Sequence, residues 1–149
     1  MTLYNPRPVS ESRCFLFGAF LDPSVLDQVA PAASFERIAH LPAHRLGFSE
    51  SGVAVVVPDE GHTVWGGVFR ISDDAMTALV AAHPGGIEPS TAWAVDREGD
   101  RFEVTVFTAA DGGSPAEDQV DHMVRGARHW ELPAGWVVGL EDLIDPFEF

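Results

Sequence analysis

With 149 residues, 46% of them hydrophobic and 10% aromatic, the chain has the length and apolar content of one folded domain, and is too short for two. Its formal charge of -14, from 23 acidic residues against nine arginines and no lysine, sets the surface against phosphate backbones and anionic lipid. Nucleic-acid and membrane partners are therefore not expected, and a cytoplasmic location is: no run reaches the roughly 18 apolar residues of a membrane span, "MTLYNPRPVSESR" lacks a signal-peptide core, and the lone Cys14 permits no internal disulfide.

Residues 1–12, with two prolines and several polar groups, read as an irregular arm. "CFLFGAF" (14–20) is an apolar run consistent with a buried strand, and Cys14 within it reads as a small buried hydrophobe. "DPSVLDQVA" (22–30) follows at once, with an aspartate N-cap and proline at the first helical position. Gly18 thus stands near a strand-to-helix corner, where backbone N–H groups are presented as in many anion sites.

"SFERIAHLPAHRLGFS" (34–49) reads as extended structure broken at Pro42. "GVAVVVPDEGHTVWGGVFRIS" (52–72) predicts a hairpin turning at Asp59–Gly61, and Gly66 and Gly67 suggest a bulge or a close backbone approach. "SDDAMTALVAAH" (72–83) has a serine N-cap, acids in its first turn, and Met76, Leu79 and Val80 on one face, which predicts a helix ending at His83-Pro84. "TAWAVDREGDRFEVTVFTAA" (91–110) predicts a second hairpin. "SPAEDQVDHMVRGARHWELP" (114–133) predicts the longest helix, with Val120, Met123, Val124 and Ala127 as its core stripe, and "PAGWVVGLEDLIDP" a last short one. Residues 144–149 form a tail. Without repeats, low-complexity tracts or a linker, residues 1–149 make one α+β domain.

Few side chains carry a recognisable chemical pattern. His40 and His44 have i, i+4 spacing, but Pro42 between them forbids the helix that metal ligation would need. Asp118, His122 and His129 read as a solvated helix face. Trp65, Trp93, Trp130 and Trp136 read as core and helix-docking aromatics. Arg45 and Arg70 would anchor a carboxylate only if turned inward, and outward is the expected direction. There is no lysine-bearing phosphate loop and no nucleophile elbow.

Four stretches in this order resemble the γ-glutamylcyclotransferase-like family. They are "FLFGAFLDPSVL", "HLPAHRLGFSESGVAVVVPDEGHTVWGGVFRIS", "DDAMTALVAAHPG" and "SPAEDQVDHMVRGARHWELPAGWVVGLEDL", which together span residues 14 to 143. The resemblance implies a small mixed β-barrel flanked by helices. It also implies a pocket between the first strand-to-helix loop and the end of the second helix. In the family the loop reads Tyr-Gly-Ser-Asn, its amides hold a γ-glutamyl group, and a glutamate moves protons while the substrate's own amine attacks its γ-carbonyl.

Here the loop reads Phe17-Gly18-Ala19-Phe20, followed by Leu21, and His83 stands in the glutamate's place, with Glu88 five residues on. The resemblance therefore implies substrate contacts from Phe17, Gly18, Ala19, Phe20, Leu21 and Glu88, and catalysis by His83, a side chain whose ordinary pKa suits proton transfer near neutrality. The implied function is cyclising attack on a small amino-acid-derived amide, without metal or cofactor, by a monomer or homodimer. The alternatives are an idle member that binds a metabolite or a protein partner, and a barrel repurposed for another biosynthetic step. If His83 is only the last residue of a helix, its polar ring serves that helix's end.

Overall fold

A computed structural model describes residues 11–110 and 112–143. Five strands close a barrel: β1 (Glu11–Leu16), β2 (Ser34–Phe48), β3 (Ala54–Ser72), β4 (Glu88–Asp96) and β5 (Arg101–Thr108), in the order β1-β3-β2-β4-β5. Neighbours in that order are antiparallel, and parallel contacts of β5 with β1, at Cys14 and Thr105, and with β3, at Val56 and Thr108, complete the ring. Helices α1 (Pro23–Val29), α2 (Asp73–Ala81), α3 (Gln119–His129) and α4 (Ala134–Glu141) lie around it. The fold is α+β, a small mixed barrel flanked by helices, as expected. No helix among the described residues is long and apolar enough to cross a membrane.

Local sequence signals account for most of these elements. Asp22 caps α1 by accepting from the Ser24 N–H, with Pro23 at the first helical position, and Ser72 caps α2 by accepting from the Ala75 N–H. Strands β4 and β5 form the second hairpin, where the Asp96 carboxylate accepts from the N–H groups of Glu98 and Asp100 and Gly99 takes a positive φ of 88°. Cys14 is fully buried, and burial pushes its thiol up to about 12, so it is inert.

Three expectations need correction. Glu11 and Ser12 are not part of an arm: they open β1 opposite Ser72 and Ile71, while residues 1–10 and 144–149 lie outside the described residues. Residues 52–72 are not a hairpin. β3 is one 19-residue strand, and β2 pairs with it on both sides of "DEGH". His44 stands opposite Pro58 and Pro42 opposite Thr63, so residues 59–62 bulge against Ala43, which takes a φ of 60°. The reversal lies earlier, where Ser49 and Val53 close a turn through Gly52 at φ 86°. Finally, Trp93 is not a core aromatic: it lies half exposed on β4 with the Arg101 guanidinium over its ring at 5.5 Å.

The core is filled by residues such as Phe15, Leu41, Val55, Val64, Val68 and Phe69, and the neighbours Val68 and Phe69 point to opposite faces of β3, Phe69 toward Trp130. Gly66 marks a close approach, not a bulge: a Cβ there would stand 2.5 Å from the Leu16 carbonyl oxygen. The helix that matters most for the loop after β1 is α3. Its stripe of Val120, Met123, Val124 and Ala127 is buried as predicted, and Gly126 lets its backbone press onto that loop. A Cβ on Gly126 would stand 2.4 Å from the Leu21 carbonyl carbon. Trp130, one turn further, donates its indole N–H to the Leu21 oxygen at 2.8 Å and stacks on Phe35 at 4.3 Å.

Gly126→Ala therefore forces α3 and the loop apart, with an expected cost of about 1–3 kcal/mol and a fall in Tm of several degrees by thermal denaturation. Gly139→Ala, in α4 with open space around the new methyl, is the control and should be neutral or slightly stabilising.

Candidate functional site

Strand β1 ends at Leu16, and the chain runs through Phe17 and Gly18 into a short 3-10 turn (Ala19–Leu21) before the Asp22 cap of α1. Below this loop lies a cavity of about 250 Å³. Phe17, Gly18, Ala19 and Phe20 form one wall, His83 and Pro84 at the end of α2 another, Phe107 of β5 and Val53–Ala54 a third, and Gln119 of α3 closes it. The expected juxtaposition of the Gly18 loop with His83 is present.

Helix α2 positions His83. Its backbone N–H donates to Val80 O at 3.1 Å, and its Nδ1 lies 2.7 Å from Leu79 O. A carbonyl oxygen only accepts, so Nδ1 carries the proton and Nε2 keeps its lone pair. The ring lies almost parallel to Phe107, centroids 4.0 Å apart at 13°, and 5.1 Å from Phe20. Burial between these rings lowers the imidazole pKa below its ordinary value, against the opposing pull of the Leu79 hydrogen bond. His83 is thus both a helix-end residue whose ring adds a second donor to the Leu79 carbonyl, which also accepts from the Ala82 N–H at 3.2 Å, and a neutral base in a cavity.

Gln119 is the site residue that the sequence reading missed. Its hydrogen bonds are satisfied with Oε1 toward the loop, accepting from the Ala19 N–H at 3.3 Å and the Ala54 N–H at 3.2 Å. The Ala19 amide, expected to cradle a substrate carbonyl, is therefore already taken by a side chain. Gln119 shares a helix face with His122, Gly126 and Trp130, three, seven and eleven residues along, and each of them contacts the segment from Ala19 to Asp22. A glycine in mid-helix beside the apolar stripe was the signal that this face meets backbone.

Other expected participants lie elsewhere. Leu21 is fully buried beneath the loop and does not line the cavity; its carbonyl receives the Trp130 bond instead. Glu88 is exposed at the start of β4, opposite Thr108, and also does not line it. Arg45 pairs with Asp59 at 3.1 Å and Arg70 with Glu36 at 3.3 Å, both away from the cavity, so neither is an anchor there. His40 packs on Trp65 and His44 sits 2.9 Å from Pro42 O.

His122 is not part of a solvated face: its Nδ1 lies 2.8 Å from the buried Asp22 carboxylate. Burial works against ionisation of Asp22, but the hydrogen bonds from His122 and from Ser24 outweigh it and hold its pKa below the usual carboxylate range. That pair ties α1, the loop and α3 together. Among the described residues lining the cavity, His83 and Gln119 are the polar side chains and none bears a fixed charge.

No family model and no curated protein matches the sequence. Among solved structures, a γ-glutamyl cyclotransferase superposes with a TM-score of 0.84 at 19% identity, over 94% of this chain and 91% of that one. An uncharacterised human protein gives 0.80 at 19% identity, over 93% and 90%. An AIG2-like protein from Mus musculus gives 0.56 at 14% identity, over 72% and 90%. The chain has the γ-glutamylcyclotransferase-like fold.

The geometry of His83 makes an NMR prediction. Its ring nitrogens should report the Nδ1–H tautomer near neutral pH, and it should titrate below free histidine. Because the folded pKa is lowered, the native state binds fewer protons than the unfolded chain. The His83 contribution to stability is then full above about pH 6.5 and declines as pH falls from there toward the folded pKa. A His83→Gln variant should lose that part of the acid slope in denaturation measured across this range.

Proposed function

We propose that the chain catalyses intramolecular acyl transfer on a small amino-acid-derived amide, with His83 as the proton carrier. The observation that carries this reading is the tethering of Nδ1 to Leu79 O, which leaves Nε2 as the free base of a cavity beside the Gly18 loop. Likeness of fold to a γ-glutamyl cyclotransferase supports it at the level of architecture.

In this reading the substrate's amine nitrogen attacks its own acyl carbon. A ring C–N bond forms, and Nε2 accepts a proton from the attacking nitrogen. As the original amide C–N bond breaks, the imidazolium returns that proton to the leaving nitrogen, so a cyclic amide and a free amine depart and His83 is again neutral. The chain supplies position as well as proton transfer: Phe107 and Phe20 hold the ring, and the apolar walls keep water from competing with the internal amine. The apolar lining also favours the second reading, a cavity that binds a metabolite without turning it over.

The test is mass-spectrometric release of a cyclic product and free amine from a panel of γ-glutamyl and other aminoacyl amides. His83→Gln keeps a neutral polar side chain of similar size but has no base, and should lower kcat/KM by about 10²–10⁴-fold, with Tm measured beside it to show that the variant is folded. Activity of the wild type should fall on the acid side as pH drops through the lowered His83 pKa, because a protonated Nε2 cannot accept. Undiminished turnover in His83→Gln would overturn the assignment, and silence across the whole panel would favour the binding-only reading.

A further inference from the structure

We infer that the cavity selects ligands whose amino-acid carboxylate is masked, as an ester or an amide, and that Gln119 sets this selection. The inference builds on the reaction proposed above for its turnover, but its binding arm stands apart from it.

Three observations point the same way. First, none of the described residues lining the cavity carries a fixed charge, and its walls are largely aromatic and aliphatic: Phe17, Phe20, Val25, Val53 and Phe107. A carboxylate placed there has no cation in the lining to pair with, and Arg45 and Arg70, which do not line the cavity, are engaged with Asp59 and Glu36. Second, two backbone donors of residues that line the cavity, the Ala19 and Ala54 N–H groups, both donate to Gln119 Oε1. The side chain occupies the position an anionic ligand oxygen would take. Third, with Oε1 committed, the Gln119 carboxamide offers its NH₂ to the cavity, a neutral donor that suits a neutral carbonyl. The formal charge of -14 adds a field that further disfavours an anion.

Gln119 is thus an internal stand-in for a ligand acceptor. It leaves a site with one donor, one neutral base in His83, and apolar walls. A zwitterionic head group loses its hydration there without gaining a counter-charge; a masked one keeps its hydrogen bond and buries its apolar cap.

The experiment compares γ-glutamyl methylamide with its α-methyl ester. Turnover is read by mass spectrometry, and binding is read by calorimetry on the N-acetyl forms of both, which lack the attacking amine. The wild type should favour the ester by about tenfold or more in each readout, the factor of one uncompensated polar contact. Gln119→Ala uncaps the Ala19 and Ala54 amides, and the preference should shrink by about tenfold as the carboxylate form gains those donors.

Gln119→Glu keeps an oxygen on both amides while removing the NH₂ and adding a negative charge. It should weaken both ligands, the carboxylate form more, and its amide spectrum shows whether the loop is intact. Equal or tighter binding of the carboxylate form by the wild type overturns the inference, as does a preference unchanged in both variants. If the N-acetyl ester binds selectively and through Gln119 while neither amine substrate turns over, the selection is upheld and the catalytic reading alone fails.

Discussion

The loop after β1 owes its shape to a helix a hundred residues away in the chain. From Gln119 through His122 and Gly126 to Trp130, one face of α3 touches the backbone of residues 19–22 or the Asp22 carboxylate that caps α1. The contacts differ in kind, and each answers a separate need. Gln119 satisfies two amides, His122 partners a buried carboxylate, Gly126 removes the side chain that would hold the helix off, and Trp130 takes the Leu21 carbonyl. Few buried backbone groups of this turn can be left without partners at small cost, so the helix and the loop form one structural unit. A cavity wall made of such a unit is preorganised without a metal or a disulfide.

What was legible in the sequence was local. The caps at Asp22 and Ser72, the proline after Asp22, the hairpin at residues 97–100 and the buried stripe of α3 each depend on residues a few positions apart, and each is present. The order of these elements carried the likeness to a known barrel. The misreadings arose where local signals competed or where partners are remote. "SESG" and "PDEGH" both have turn chemistry between β-branched runs, and only the pairing of β2 with the full length of β3 decides between them. The second becomes a bulge because Pro42 opposite it cannot supply a ladder N–H, so the strands part there and rejoin.

His122 and Gln119 were invisible for the other reason. Their partners, Asp22 and the amides of Ala19 and Ala54, lie about 65 to 100 residues away, and no spacing rule reaches that far. Trp93 was misplaced because alternation along β4 does not say which face meets the core, and its indole found a guanidinium instead. His83 was found through the order of elements around it, since a histidine before a proline at a helix end is an ordinary sight.

An imidazole at that position is consistent with everything else in the cavity. A carboxyl group there, with no cation in the cavity lining, would be pushed by burial toward its protonated form, which cannot accept a proton. The buried imidazole begins neutral, which matches walls that solvate no charge. In the proposed reaction charge arises on it only as it takes the proton, and the ring lies 4.0 Å over the face of Phe107 and close to Phe20. An aromatic face attracts a cation more strongly when water is excluded. The same rings that depress the resting pKa by desolvation therefore favour the imidazolium relative to a bare apolar wall. The fold positions the residue, and the aromatic sandwich makes a neutral base in an apolar cavity chemically coherent.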